Sequence, residues 1–170
     1  MTSRPPAPPR LVRPGAAKAP VRVLGLDPGS HVTGYGLVEE AGRGLRLVAA
    51  GAIRPPGAGD LASRLAFIHA AVARLVAEHA PAEAAVEGVF TAQNVRSALI
   101  LGHARGVALL AVAQAGIEVF EYSPAAIKKA LVGTGRAAKE QVRAMVAALV
   151  GQPPPGPLDA SDALAVAITH

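Results

Sequence analysis

The residues from Val21 to Leu26 are apolar but for Arg22, and Asp27-Pro28-Gly29 closes the run with a turn, the pattern of a central strand. Further strands fit Thr33 to Glu39 and, after a turn around Gly42 to Gly44, Leu45 to Ile53, so an antiparallel meander opens the fold. From Leu61 to His79 the apolar positions Leu61, Leu65, Ile68, Val72, Leu75 and Val76 follow helical spacing, with Asp60 as the expected N-cap and Pro81 beyond the end. Ala84 to Phe90 is a short strand-like run that places Glu87 mid-strand, and Asn94 to Ala115 is a long helix with Gly116 past its end. Ile117 to Tyr122 reads as a strand. Ser123-Pro124 opens a helix to about Val132, Ala137 to Val150 forms another, and the last begins at Asp159. Three consecutive strands followed by alternating helices and strands predict an α/β/α sandwich on a mixed sheet, without internal repeats.

Composition narrows what such a sheet can be for. Of the 170 residues 51% are hydrophobic, yet there are three Phe, two Tyr and no Trp, so the core must be aliphatic. The absence of cysteine removes disulfides, thiolate metal sites and thiol nucleophiles, and is compatible with a reducing compartment; the cytoplasm is expected. Charges or glycines interrupt every apolar run short of the roughly 20 residues of a membrane span, so no membrane role is expected. Residues 1–20 read as a disordered basic Pro/Ala-rich arm, and residues 21–170 as the single folded domain. Four of the 17 basic residues, Arg4, Arg10, Arg13 and Lys18, lie in that arm, which leaves 13 against 12 acids. If four of those acids are gathered in a metal-filled cleft, the remaining surface is basic, which suits a polyanionic partner. An Arg- and Ala-rich composition that merely reflects a GC-rich genome accounts for the charge equally well.

Four acids carry the candidate chemistry. Asp27 ends the first strand, Glu87 lies in the fourth, and Asp159 and Asp162, three apart, share one face of the last helix. Carboxylates are the hard oxygen donors that magnesium takes, and a few of them shared between two ions make a phosphodiester-cleaving centre. Each acid alone has a plain structural reading. Asp-Pro-Gly is a common turn, Asp159 and Asp162 suit the first turn of a helix, and Glu87, among Ala84, Ala85, Val86 and Val89, could belong to a buried ion pair.

Gly25-Leu26-Asp27-Pro28-Gly29-Ser30 with Thr33-Gly34-Tyr35-Gly36, Val86-Glu87-Gly88-Val89-Phe90, Ser97-Ala98-Leu99 with Leu101-Gly102 and Ala104-Arg105-Gly106-Val107, Val119-Phe120-Glu121-Tyr122, and Asp159-Ala160-Ser161-Asp162-Ala163-Leu164-Ala165 resemble, in order and spacing, the RuvC family of Holliday-junction resolvases. The resemblance spans about Val21 to His170 and implies an RNase H-like fold with a five-stranded mixed sheet whose first three strands are antiparallel. It implies that Asp27, Glu87, Asp159 and Asp162 are the catalytic and metal-binding carboxylates, holding two Mg2+ per subunit with Mn2+ able to substitute, and that hydrolysis leaves a 5′ phosphate. It further implies that Phe90 stacks near the junction crossover and that Lys128 and Lys139 hold phosphates of four-way junction DNA. Core packing at a strand end is the plain reading of Phe90, and a solvated helix face that of Lys128. RuvA and RuvB are the partners implied. Residues 1–20 have no counterpart in the family pattern, nor does the basic tail of many relatives follow His170, a histidine to which the sequence assigns no role.

The helix from Asn94 to Ala115 is apolar or small nearly all round, so one side should face the sheet and the other a partner helix, with Gly102 and Gly106 allowing close approach. A homodimer suits the chemistry, because a two-fold places two sites on two symmetric strands. Rival readings are a YqgF-type nuclease with another nucleic-acid substrate, a catalytically silent junction-binding module, and an actin-like phosphate-binding ATPase, for whose second domain the chain leaves little room.

Overall fold

The structure, a computed structural model, describes residues 20–29, 31–42, 44–57, 59–88 and 95–170. Its elements run β1 (Arg22–Asp27), β2 (Thr33–Ala41), β3 (Gly44–Ile53), α1 (Leu61–His79), β4 (Glu83–Glu87), α2 (Val95–Gln114), β5 (Glu118–Tyr122), α3 (Pro124–Val132), α4 (Lys139–Val150) and α5 (Leu158–Thr169). The five strands form one sheet in the order β3-β2-β1-β4-β5, antiparallel from β3 to β1 and parallel from β1 to β5. This is the mixed, RNase H-like sheet that the sequence implies.

Strand side chains alternate between two cores because the strand period is two. Leu24, Leu26, Leu37, Ala84 and Val86 meet α1 and α2 through Ile68, Val72, Val76, Ala104, Ala108 and Val112. Val23, Val38 and Ala85 meet α3, α4 and α5 through Ile127, Leu131, Val142, Val146, Leu164 and Val166. Small residues in the sheet let α5 lie close against it. A Cβ added to Gly25 would stand 2.0 Å from the Ala163 carbonyl oxygen, and one added to Gly36 would stand 2.6 Å from Leu164 Cγ.

The caps follow local chemistry. Asp60 Oδ1 accepts from the Ser63 amide at 2.7 Å, and Ser123 Oγ accepts from the Ala126 amide at 3.1 Å ahead of Pro124. Several element bounds differ from expectation by one or two residues, and three of the differences bear on the site. β4 ends at Glu87, so this acid is the strand's last residue rather than its middle, and Val89–Asn94, including Phe90, lie outside the described residues. α4 begins two residues later than expected, at Lys139. Gln141 Oε1 accepts from the Ala138 amide at 2.9 Å, while the methyl of Ala138 offers no oxygen in return. α5 begins at Leu158 behind Pro157, which puts Asp159 inside the first turn instead of at the cap.

Helix α2 is long and apolar enough to cross a membrane by length and composition, a property that the sequence reading denied to every segment. Its inner face, Ala104, Ala108, Ala111 and Val112, is nevertheless buried against the core. The opposite face shows Val95, Leu99 and Leu110, Leu99 being 60% exposed, and a Cβ on Gly102 or Gly106 meets nothing within 4 Å.

His170, to which the sequence assigns no role, is held on three sides. Its Nε2 lies 2.8 Å from Glu83 Oε2 and its Nδ1 2.8 Å from the Tyr122 hydroxyl. Its ring centroid lies 4.3 Å from that of Phe120. An ionised carboxylate only accepts, so Nε2 carries the proton toward Glu83, and in the neutral ring Nδ1 accepts from Tyr122.

Candidate functional site

Strand register brings the first two acids together. β1 and β4 run parallel with Leu26 opposite Val86, so Asp27 and Glu87, one residue further along each strand, emerge side by side at the same sheet end. The glycine-paved face of β1 and β2 brings in the other two. Gly34, paired with Asp27 across the β1–β2 ladder, lies under the backbone of Asp159, where an added Cβ would meet the Asp159 carbonyl oxygen at 2.0 Å. With Asp159 in its first turn, α5 brings Asp162 over the same end of the sheet, on the face it shares with Asp159.

The four carboxylates share one electrostatic environment. Burial, and then the charges of Glu87, Asp162 and Asp159, push Asp27 up to about 7, with Lys139 opposing. Burial and the charge of Asp162 raise Glu87 above the usual carboxylate range, and Lys139 and Lys128 pull it back. Such a cluster is short of positive charge. Lys139 Nζ supplies some of it, 3.8 Å from Asp162 Oδ2, although the lysine is itself well exposed. A cleft beside the acids is lined by Glu87, Asp162, Lys128 and Lys139, with Ile127 and Val142 as apolar wall. Both candidate phosphate-binding lysines therefore stand at the acids, while Lys129 faces solvent.

Hard, all-oxygen donors in a cleft whose half-buried carboxylates repel one another fit a divalent cation such as magnesium. Among the described residues no three His, Asp or Glu side chains converge closely enough to enclose an ion by themselves. Magnesium does not require that, because it keeps several of its waters and is held by one or two carboxylates together with substrate phosphate.

Two residues at this site escaped the sequence reading as contributors. Gly34 belongs to a quoted motif, but only the register shows that it seats α5. Arg105, also within a quoted motif, reaches from α2 to the end of β4, where its Nη1 donates to the Glu87 carbonyl at 2.5 Å and its Nη2 lies 2.8 Å from Glu121 Oε1. Phe90 is the one candidate site residue outside the described residues.

Residues 23–170 match the family described as Crossover junction endodeoxyribonuclease RuvC. A relative of that name from Nitratidesulfovibrio vulgaris is 55% identical over 152 residues, covering 89% of this chain and 91% of its own. Another, from Azorhizobium caulinodans, is 51% identical over 150 residues, covering 88% and 89%. Among solved structures, Thermus thermophilus RuvC in complex with a Holliday junction substrate is similar with a TM-score of 0.83 and 35% identity, over 88% of this chain and 92% of that one.

Proposed function

The chain belongs to the RuvC family of crossover junction endodeoxyribonucleases, enzymes that resolve Holliday junctions, and on that premise we propose that Asp27, Glu87, Asp159 and Asp162 are its catalytic carboxylates. The observation that carries this reading is the convergence of two neighbouring strand ends with the first turn of α5, in a cluster that burial and mutual repulsion leave wanting cations. The family match also sets aside the actin-like ATPase reading. The four carboxylates would hold two Mg2+ per subunit, with Mn2+ able to substitute. When bound, such ions lower the pKa of a coordinated water and stabilise the departing oxygen, which leaves a 5′ phosphate.

The protein's own groups do the rest. The carboxylates orient the donor oxygens, Asp27 being most deeply set and least able to stay ionised without a cation. Lys128 and Lys139 flank the acids and bind the scissile strand's phosphates as point charges, and Lys139 leaves Asp162 as it does so. Apolar Ile127 and Val142 exclude water from one side of the cleft. Phe90, three residues past the end of β4, would stack on a base at the crossover.

The substrate proposed for this chain is four-way junction DNA, as held by the T. thermophilus relative. A homodimer through the outward apolar face of α2 would present two such sites about a two-fold, which is what paired symmetric nicks require. RuvA and RuvB are the proposed partners and the cytoplasm the proposed compartment. The test is incubation of a labelled four-way junction and a matching linear duplex, with magnesium and with chelator. Metal-dependent paired nicks on the junction alone are expected. A folded dimer that cuts no junction across varied core sequences would return the YqgF-type alternative, to be tried on other branched or RNA-containing substrates.

A further inference from the structure

Glu87 stands where the sheet supports β4 on one side only. The β1–β4 pairing ends at Leu26 and Val86, so the peptide after Glu87 lies beyond the last rung on that side. On the β5 side it is held, since the Gly88 amide donates to the Tyr122 carbonyl at 2.8 Å. The C=O and N–H of one trans peptide point in opposite directions, so the Glu87 carbonyl faces away from that bond. There the Arg105 guanidinium meets it with an N–H donor at 2.5 Å. The arginine comes from another element, 18 residues further along the chain, and its side chain is only 12% exposed. Its second arm forms an ion pair with the exposed Glu121 carboxylate, 2.8 Å away, although that nitrogen makes no hydrogen bond of its own, so the guanidinium is drawn from both sides.

We propose that Arg105 is a positioning residue of the nuclease, fixing the Glu87–Gly88 peptide so that the Glu87 carboxylate is presented to the metal cleft at the angle set by β4. This rests on the reading of Glu87 as a metal ligand. Arg105 acts through the main chain of Glu87 and touches neither DNA nor metal in this role. Without it a peptide free of β1 is pinned at one edge only, and rotation about that edge swings the Glu87 Cα–Cβ bond. Groups that orient a ligand from behind matter to metal affinity or activity by about 10- to 100-fold. Lysine carries the same charge but presents a single point, so it cannot span the Glu87 carbonyl and Glu121 together.

The test compares the full-length parent with Arg105→Lys, Arg105→Ala and, separately, Glu87→Gln. Thermal unfolding, magnesium binding by calorimetry without DNA, and kcat and KM on a four-way junction are measured for each. Folded Arg105→Lys is expected to bind magnesium about 10-fold more weakly, with kcat reduced and junction KM within about 2-fold of the parent. Arg105→Ala, if folded, should be worse in the same two quantities. Parental magnesium affinity and kcat in folded Arg105→Lys would overturn the inference. So would a lowered Tm with parental magnesium affinity, or a failure of both variants to fold, because Arg105 would then be scaffold alone. Glu87→Gln keeps the failures apart. If it cuts and binds magnesium like the parent, the assignment of Glu87 itself is wrong. If it is inactive while Arg105→Lys is parental, only the role of Arg105 falls.

Discussion

Gly34 has no side chain because the backbone of Asp159 occupies the place where one would be, 2.0 Å separating the Asp159 carbonyl oxygen from the Cβ that any other residue would carry. The two are 125 residues apart in numbering, and Gly34 is itself the ladder partner of Asp27. A single close approach thus links β1, β2 and α5 at the candidate metal cleft. Gly34→Ala should push the start of α5 away from the sheet, costing about 1–3 kcal/mol by overpacking. Assayed well below its Tm, the variant is expected to bind junction DNA and cut it at least 10-fold more slowly. Parental cutting would show that Asp159 and Asp162 tolerate displacement.

Asp27 sets the pH dependence of the metal-free protein. Its pKa is raised in the folded state to about 7 from an ordinary 3.8, and Glu87 is also raised. A raised carboxylate favours folding while protonated, so its contribution is present below the ordinary value and is lost as pH climbs toward 7. Glu39 is lowered by its bonds from Arg46 and Arg22 and acts in the opposite direction, favouring folding above its ordinary 4.5 and losing that effect in acid. Without metal, Tm should therefore peak in mild acid and fall between about pH 4 and 7. Asp27→Asn should flatten the upper slope, raise the metal-free Tm at pH 8 and abolish cutting while retaining junction binding. Differential scanning fluorimetry across pH, with and without magnesium, checks the slope; a parental slope in Asp27→Asn would refute the assignment.

His170 ties the C-terminal end of α5 to β4 and β5. In His170→Ala the Tyr122 hydroxyl and the Glu83 carboxylate both lose a partner, and the ring contact with Phe120 disappears. A loss of about 1–3 kcal/mol in unfolding free energy is expected by urea denaturation. Cutting below the Tm should stay near parental, because His170 caps the end of α5 opposite the turn that carries Asp159 and leads to Asp162. A drop in activity at unchanged stability would give this histidine a functional role.

Leu99, 60% exposed on the outward side of α2, tests the dimer. Leu99→Glu places like charges across any two-fold contact on that face and should convert the protein to a monomer in sedimentation velocity. Its junction cutting should then change from paired to single nicks. A dimer that survives the charge would move the interface elsewhere.

Most of the architecture was legible from local pattern. Spacing of apolar residues located every element, and Asp60, Ser123 and Pro124 announced their helix starts, because caps and periodicity act within about four residues of chain. The four acids were legible as residues, since their motifs are contiguous. The end of β4 was not. Apolar character continues past Glu87 through Val89 and Phe90, whereas the limit of the strand depends on where its neighbours β1 and β5 stop pairing, which no local window contains.

The sequence by itself determined the fold class, the donor chemistry of Asp27, Glu87, Asp159 and Asp162, and the family to which the chain belongs. Tertiary structure alone decided that Glu87 sits at a strand end paired on one side only, that Arg105 reaches its carbonyl, that Gly34 seats Asp159, and that His170 ties Glu83 to Tyr122. The contacts among these join groups 18 to 125 positions apart, made where packed surfaces happen to meet. Propensity and spacing describe the chain against itself over a few residues, while such contacts depend on the register and approach of separate elements, which exist only once the sheet and helices have packed.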